Sequence, residues 1–326
     1  MSERNAPIRA IAVVGPTASG KTALSIALAR RLGGEIISCD SMQIYRGMDI
    51  GTAKATEEER AAIPHHMIDI LPPNAPYSAA DYGEDAYRTA CALTARGVTP
   101  IFCGGTGLYL NAACTALHEN APMADEAIRA RLTVIGQSEE GKTQLFERLT
   151  AIDPEEAQKT HKNNLRRVVR ALEIYELTGK PKSLFDRESK AVSPRIRLLP
   201  ILLDFRDRQL LYRRIEARVD DMMANGLAAE VRALFEKGLL APDTTAGQAI
   251  GYKELYAYAV LGTVGRETAM AELKTATRRY AKRQLTWFRA MEGILTVCPD
   301  REDGTLKSGD ELADELDAPI RAFLES

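Results

Sequence analysis

The sequence predicts an α/β fold: a parallel sheet with helices on both faces, interrupted by an all-helical insert. Three observations predict it. Short apolar runs alternate with helical periodicity through the N-terminal third of the chain. A glycine-rich turn joins the first such run to the first helix. The strand signal then stops at about Leu117 and returns only with "RIRLLPILLDF" (residues 195–205). Alternating strand and helix signals imply parallel strands covered on both sides.

"IRAIAVVG" is an apolar run ending in glycine and reads as a buried strand. "KTALSIALARRLGG" has helical spacing and a Gly-Gly stop. "EIISCD" reads as a second buried strand ending on an acid. "YSAADYGEDAYRTACALTARG" reads as a helix with Ser78 as N-cap. "VTPIFCGGTGLYL" is a strand running into a glycine turn. From residue 118 to 194 only helical patterns occur, as in "ADEAIRARLTVIG", "GKTQLFERLTAID" and "NNLRRVVRALEIYELTG". The core, residues 1–117 and 195–326, then resumes with a strand and four helical stretches, the last being "RETAMAELKTATRRYAKRQLTWFRAM".

With 326 residues, of which 45% are hydrophobic, the chain can bury a large core without disulfide staples. A net charge of −2 excludes nucleic-acid binding by bulk charge, so a polyanion must meet a local patch. The five cysteines contain no C-x-x-C pair, which argues against structural zinc and fits reduced thiols. The polar start and the lack of a long apolar run point to a cytoplasmic protein with no membrane partner. Nothing demands more than a monomer.

"GPTASGKT" fits G-x-x-x-x-G-K-[ST] at Gly15, Gly20, Lys21 and Thr22, with a strand before it and a helix after it. This is a P-loop, and it makes the predicted core P-loop NTPase-like. Gly15 and Gly20 permit the tight turn, so the amides of Thr17, Ala18 and Ser19, after Pro16, can converge on phosphate oxygens. Lys21 adds a full charge, and Thr22 offers a hydroxyl to Mg²⁺. Such loops usually hold a nucleoside triphosphate, but the motif itself says only phosphate.

Asp40 ends the second strand at the ligand-binding end of a doubly wound sheet. It could hold Mg²⁺ through water, deprotonate a nucleophile, or simply cap a turn. Ser41, Gln43 and Tyr45 follow it with hydrogen-bonding and stacking groups suited to reading the edge of a base.

"GPTASGKT", "DSMQIYRGMDIGTAK", "PHHMID", "GGTGLYLNA", "RRVVRALEIYELTGKP", "AIGYKE" and "YAKRQLTWFR" occur together and in order. This set resembles the tRNA dimethylallyltransferase (tRNA adenosine isopentenyltransferase) family, of bacterial type, from about Ile11 to Arg289. The resemblance implies transfer of a dimethylallyl group from dimethylallyl diphosphate to N6 of the adenosine 3′ of the anticodon, releasing pyrophosphate. It implies Asp40 as general base, with Arg218, the P-loop and Mg²⁺ on the diphosphate, and it places Thr106 near the acceptor or the diphosphate. Arg214 lies one helical turn before Arg218, and either arginine could instead be a solvated helix charge.

The implied partner is a tRNA anticodon stem-loop, gripped by Asp40, Ser41, Met42 and Gln43; by Arg166, Arg167 and Arg170; by Gln248, Gly251 and Lys253; and by Lys282, Arg283, Gln284 and Arg289. No acid lies between Glu272 and Glu292. Like charges one turn apart repel, and a polyanion would relieve them. Trp287 reads as core on this helix, Tyr109 reads as core, and His65 and His66 read as a turn. The chain departs from the family with "GTAKA" for "GTAKP" and "THKNN" for "IHPND". Three readings compete: a metabolite kinase, which requires neither the helical insert nor the acid-free basic helix; an enzyme prenylating free adenine nucleotides, which would not need the insert; and a P-loop switch that only binds RNA, for which the sequence shows no separate switch elements.

Overall fold

Side chains alternate along the first strand, and that alternation builds the molecule. In β1 (Ile8–Val14), Ala10, Ala12 and Val14 join one buried cluster while Ile11 and Val13 join another on the opposite face. A central parallel strand must be apolar on both sides. The computed structural model describes residues 7–115, 125–191 and 194–326.

The chain continues with α1 (Lys21–Leu32), β2 (Gly34–Ser38), α2 (Glu57–Ala62), β3 (His65–His66), α3 (Ala79–Ala95), β4 (Thr99–Gly104) and α4 (Gly107–Cys114). Five helices follow: α5 (Glu126–Ile135), α6 (Glu139–Ile152), α7 (Pro154–Gln158), α8 (Leu165–Thr178) and α9 (Lys182–Ala191). Then come β5 (Ile196–Leu203), α10 (Arg208–Ala224), α11 (Leu227–Glu236), α12 (Tyr252–Ala259), α13 (Arg266–Arg289), β6 (Leu295–Val297) and α14 (Gly309–Glu325).

Among the described residues the strands form one six-stranded parallel sheet in the order β3-β2-β4-β1-β5-β6. Leu24 and Leu28 of α1 pack with Leu312, Leu316 and Ile320 of α14 on one face. Tyr82 and Leu93 of α3, Leu211 and Ile215 of α10, and Leu285 and Phe288 of α13 cover the other. Each fully buried side chain of this size contributes about 1.5–3 kcal/mol. A third cluster, built from Ile44, Tyr45 and Met48 with Val219, Leu227, Val231 and Leu255, fastens the segment after β2 to α10–α12.

Ser78 caps α3 with a full capping box, as its position before the helical pattern predicts. His65 and His66 are a two-residue edge strand paired with Ile36 and Ile37, not a turn. A run of two residues is too short to show strand periodicity. His66 Nε2 lies 2.6 Å from Glu35, and no metal-holding acid, histidine or cysteine cluster exists among the described residues. β6 and α14 lie beyond the last helical pattern read from the sequence and complete the sheet's far edge and one face.

The chain divides into two compact units, Met1–Cys114 with Ile196–Ser326, and Thr115–Arg195. The expected texture change at Leu117 and the Ser193 edge lie outside the described residues. Among the described residues the second unit is helical, with a core of Leu132, Leu145, Leu149, Val168 and Leu172.

Candidate active site

Three strand ends bring the candidate residues of the sheet unit together. The phosphate loop follows β1, Asp40 follows β2, and Thr106 follows β4, with β4 between the other two strands. All the strands are parallel, so these turns share one edge of the sheet, where open α/β folds bind ligands.

In the loop, Gly20 has φ +95° and Ala18 has φ +62°. A Cβ at Gly15 would stand 2.9 Å from the Leu203 carbonyl, so this position tolerates no side chain without movement. Lys21 and Thr22 open α1, whose first amides and dipole favour an anion. Lys21 Nζ donates to the Pro16 carbonyl at 2.7 Å. Burial pushes its ammonium down to about 8, with nearby Arg218 adding to the effect. The buried Ser19 Oγ has no hydrogen-bond partner among the described residues. An orphaned hydroxyl in a cradle of amides fits an anionic ligand.

Asp40 Oδ1 accepts from the Met42 amide at 2.9 Å. Burial raises its carboxyl above the ordinary aspartate value, while the Met42 amide, Lys21 and Arg218 act in the opposite direction. A carboxylate raised in this way is a better proton acceptor. Arg218 is itself lowered by burial and favoured by Asp40. Arg214 Nε donates to the Ala18 carbonyl at 2.9 Å, so this arginine is part of the phosphate loop's support and not a solvated charge.

Thr106 ties the turn after β4 to the segment after β2. Its amide donates to Cys39 O at 3.1 Å, and its Oγ1 receives the Ser41 amide at 3.2 Å. Tyr280 of α13, which lies near Thr106 and Asp40, was not singled out in the sequence. Its signal was its place one helical turn before Gln284. The glycines of "GGTG" have physical causes. A Cβ at Gly104 would meet Cys39 O at 2.4 Å, one at Gly105 the Gln284 amide at 1.9 Å, and one at Gly107 the Trp287 indole at 2.0 Å. The three glycines leave room for the chain after β2 and for α13 to approach the turn.

Residues 43–291 match the IPP transferase family, and residues 8–68 match the isopentenyl transferase family. The chain is 49% identical over 280 residues to the tRNA dimethylallyltransferase of Geobacillus thermodenitrificans (strain NG80-2), covering 86% of this chain and 87% of that one. The chain belongs to the tRNA dimethylallyltransferase family. It is thus a prenyltransferase enzyme. The solved tRNA isopentenylpyrophosphate transferase of Bacillus halodurans superposes with a TM-score of 0.70 at 42% identity, covering 98% of this chain and 97% of that one. A eukaryotic dimethylallyltransferase acting on tRNA superposes at 0.75 with 29% identity, covering 96% of this chain and 77% of that one.

The remaining candidates divide by surroundings. Ser41 and Met42 sit part-buried beside Asp40. Gln43 turns inward: its Oε1 receives the Ser38 hydroxyl at 2.8 Å and its Nε2 donates to Thr52 O at 3.2 Å. Gln248 is exposed and donates to Pro242 O, Gly251 is buried with φ +98°, and Lys253 pairs with Glu254. Glu230 of α11 receives the amides of Asp49, Ile50 and Gly51 and the Tyr252 hydroxyl, which fixes the family's "GMDIG" segment.

On α13, Lys282 and Arg283 are exposed and Gln284 is buried. Two of the helix's arginines do meet acids from other elements: Arg278 pairs with Glu216 and Arg289 with Asp204. The acid-free run in the sequence therefore overstates the unbalanced charge. Trp287 is 42% exposed, and Phe288 is the buried aromatic. Adjacent helical positions point about 100° apart. Phe288 shares the core stripe with Ala281 and Leu285, which leaves Trp287 against Gly107 at the surface. In the helical unit, Arg166 and Arg167 are exposed, while Arg170 pairs with the fully buried Glu173. No helix among the described residues is long and apolar enough to cross a membrane.

Proposed function

We propose that this enzyme transfers a dimethylallyl group from dimethylallyl diphosphate to N6 of the adenosine 3′ of a tRNA anticodon, releasing pyrophosphate. The observation that carries the reading is the meeting of an anion cradle and a raised carboxylate at one sheet edge, within a chain similar over most of its length to tRNA dimethylallyltransferases. An amine nucleophile and a diphosphate leaving group need those two features side by side.

Asp40 accepts the proton that the exocyclic amine loses as its nitrogen bonds to the prenyl carbon. The carbon–oxygen bond to the diphosphate breaks, and charge builds on the departing oxygen. Lys21, Arg218 and the amides of residues 18–22 stabilise that charge, which is worth most where it develops in the transition state; the Thr17 amide is already held by Gln284. Thr22, with the diphosphate's own oxygens, would hold Mg²⁺, a hard cation that neutralises phosphate charge. The hard oxygen donors present here suit that ion. Ser41 and Thr106 position the acceptor base beside Asp40.

The adenine must leave its stack to reach this edge, at a cost of a few kcal/mol. Lys282 and Arg283, exposed on α13, offset that cost by neutralising RNA phosphates. Arg166 and Arg167 of the helical unit are further candidates for the same role.

The test is a mass measurement on an anticodon stem-loop RNA incubated with the protein, Mg²⁺ and either dimethylallyl diphosphate or ATP. The expected outcome is a gain of one prenyl group with the first donor and no change with ATP. Unchanged RNA mass, with ATP consumed when free metabolites are added, would return the loop to a kinase role.

A further inference from the structure

One side chain joins the two halves of the site. Gln284 of α13 is 5% exposed. Its Oε1 accepts the Thr17 amide of the phosphate loop at 3.0 Å, and its Nε2 donates to the Gly105 carbonyl at 3.1 Å. The orientation of this amide is unambiguous, because Thr17 N–H can only donate and the Gly105 carbonyl can only accept. Gly105 precedes Thr106, whose hydroxyl holds the Ser41 amide beside Asp40. Gln284 therefore spans from the turn after β1 to the turn after β4.

We propose that Gln284 is a positioning residue for the donor diphosphate and not an RNA contact: it is the strut through which α13 sets the phosphate loop. The resemblance assigns it to RNA, together with Lys282 and Arg283, but those two side chains are exposed and Gln284 is not. Both of its hydrogen bonds end on backbone atoms, so the strut acts on loop geometry. The space it fills is reserved for it, since a Cβ at Gly105 would stand 1.9 Å from Nε2. At neutral pH the amide gives one acceptor and one donor at once, which a carboxylate or thioether of similar length does not. Glutamate would turn an anionic oxygen toward the Gly105 carbonyl, and methionine would take this partner from the part-buried Thr17 amide and the buried Gly105 carbonyl. The tyrosine one turn earlier, Tyr280, reaches Thr106 from the same helix. One face of α13 thus fixes the donor loop and the acceptor turn, while Lys282 and Arg283 remain exposed to meet RNA.

The inference rests on the diphosphate reading above, and its test separates the two. Binding of pyrophosphate with Mg²⁺ is measured by calorimetry, and binding of the stem-loop RNA by anisotropy, for wild type, Gln284→Met and Gln284→Glu, with Lys282→Ala as a contrast. Gln284→Met is expected to weaken pyrophosphate about tenfold, the effect of losing roughly one net hydrogen bond, with RNA affinity within about twofold. Gln284→Glu is expected to be weak at neutral pH. Relative to wild type at each pH it should recover as pH falls, because the protonated carboxyl regains a donor for Gly105. Lys282→Ala should do the reverse of Gln284→Met. If Gln284→Met fails to fold, the pH recovery of Gln284→Glu decides alone. Wild type that does not bind pyrophosphate would overturn the diphosphate reading, and the strut with it. Wild type that binds, with unaffected variants or with a loss confined to RNA, would overturn the strut alone.

Discussion

The two basic helices, α8 and α13, look alike as text and differ as structure. Each clusters arginines one turn apart. In α8 the last arginine of the cluster is neutralised within its own helix: Arg170, together with Arg129 of α5, meets Glu173, which is fully buried. In α13 the balancing acids come from elsewhere in the chain, Glu216 of α10 for Arg278 and Asp204 after β5 for Arg289. Of the other basic residues in the acid-free run, Arg279, Lys282 and Arg283 stay exposed, with the Arg283 guanidinium 5.5 Å from the Tyr280 ring. A charge cluster is informative only after the carboxylates of other elements are placed around it. By that measure the basic residues form three kinds: enclosed beside the phosphate loop, exposed, and paired.

The largest effect is expected for the enclosed kind. Arg218→Ala should lower kcat about 10²–10³-fold, the usual cost of removing one donor aimed at developing charge, with RNA affinity unchanged. An RNA-affinity loss with intact kcat would move Arg218 into the exposed class. Next comes Lys282→Ala combined with Arg283→Ala. The plot of log affinity against log salt should flatten by about one for every RNA phosphate that is no longer neutralised. An unchanged slope would put the RNA on another face.

Lys21 gives a pH test. Its ammonium lies at about 8 in the free enzyme, so it is already charged below that pH and becomes neutral above it. Pyrophosphate affinity should therefore be flat below about pH 8 and fall above it, by up to about tenfold per pH unit. A flat profile through pH 10 would show that Lys21 does not hold the anion. The smallest effect is expected for the paired kind. Arg278→Ala, which removes a partly exposed pair with Glu216, should change stability by about 0–1 kcal/mol in a denaturant titration. It should leave the salt slope unchanged, and a flattened slope would return Arg278 to the RNA-facing group.

Much of the core was legible in the sequence because local rules suffice there. The loop "GPTASGKT" carries its own strand, turn and helix signals, and Ser78 caps α3 where the pattern places it. Asp40 was legible from its position at a strand end. What escaped the sequence depends on distant partners. β3 and β6 have two and three residues, too few for periodicity, and exist through pairing with β2 and β5. Trp287 and Phe288 are equally apolar as text, and only the packing of α13 on the sheet sends one inward. Gln43 and Gln284 resemble base-reading amides in sequence but are engaged by the protein's own hydroxyl and backbone groups. Tyr280 became visible only when α13 lay along the turn after β4.

The central claim is that an anion cradle and a proton-accepting carboxylate act on two different substrates at one sheet edge. Asp40→Asn tests it most directly, since the amide keeps the shape and removes the base. Single-turnover prenyl transfer to the stem-loop RNA should fall about 10²–10⁴-fold, while pyrophosphate and RNA bind as in wild type. Transfer within a few-fold of wild type would contradict the account, because the proton would then leave by a route that does not involve Asp40.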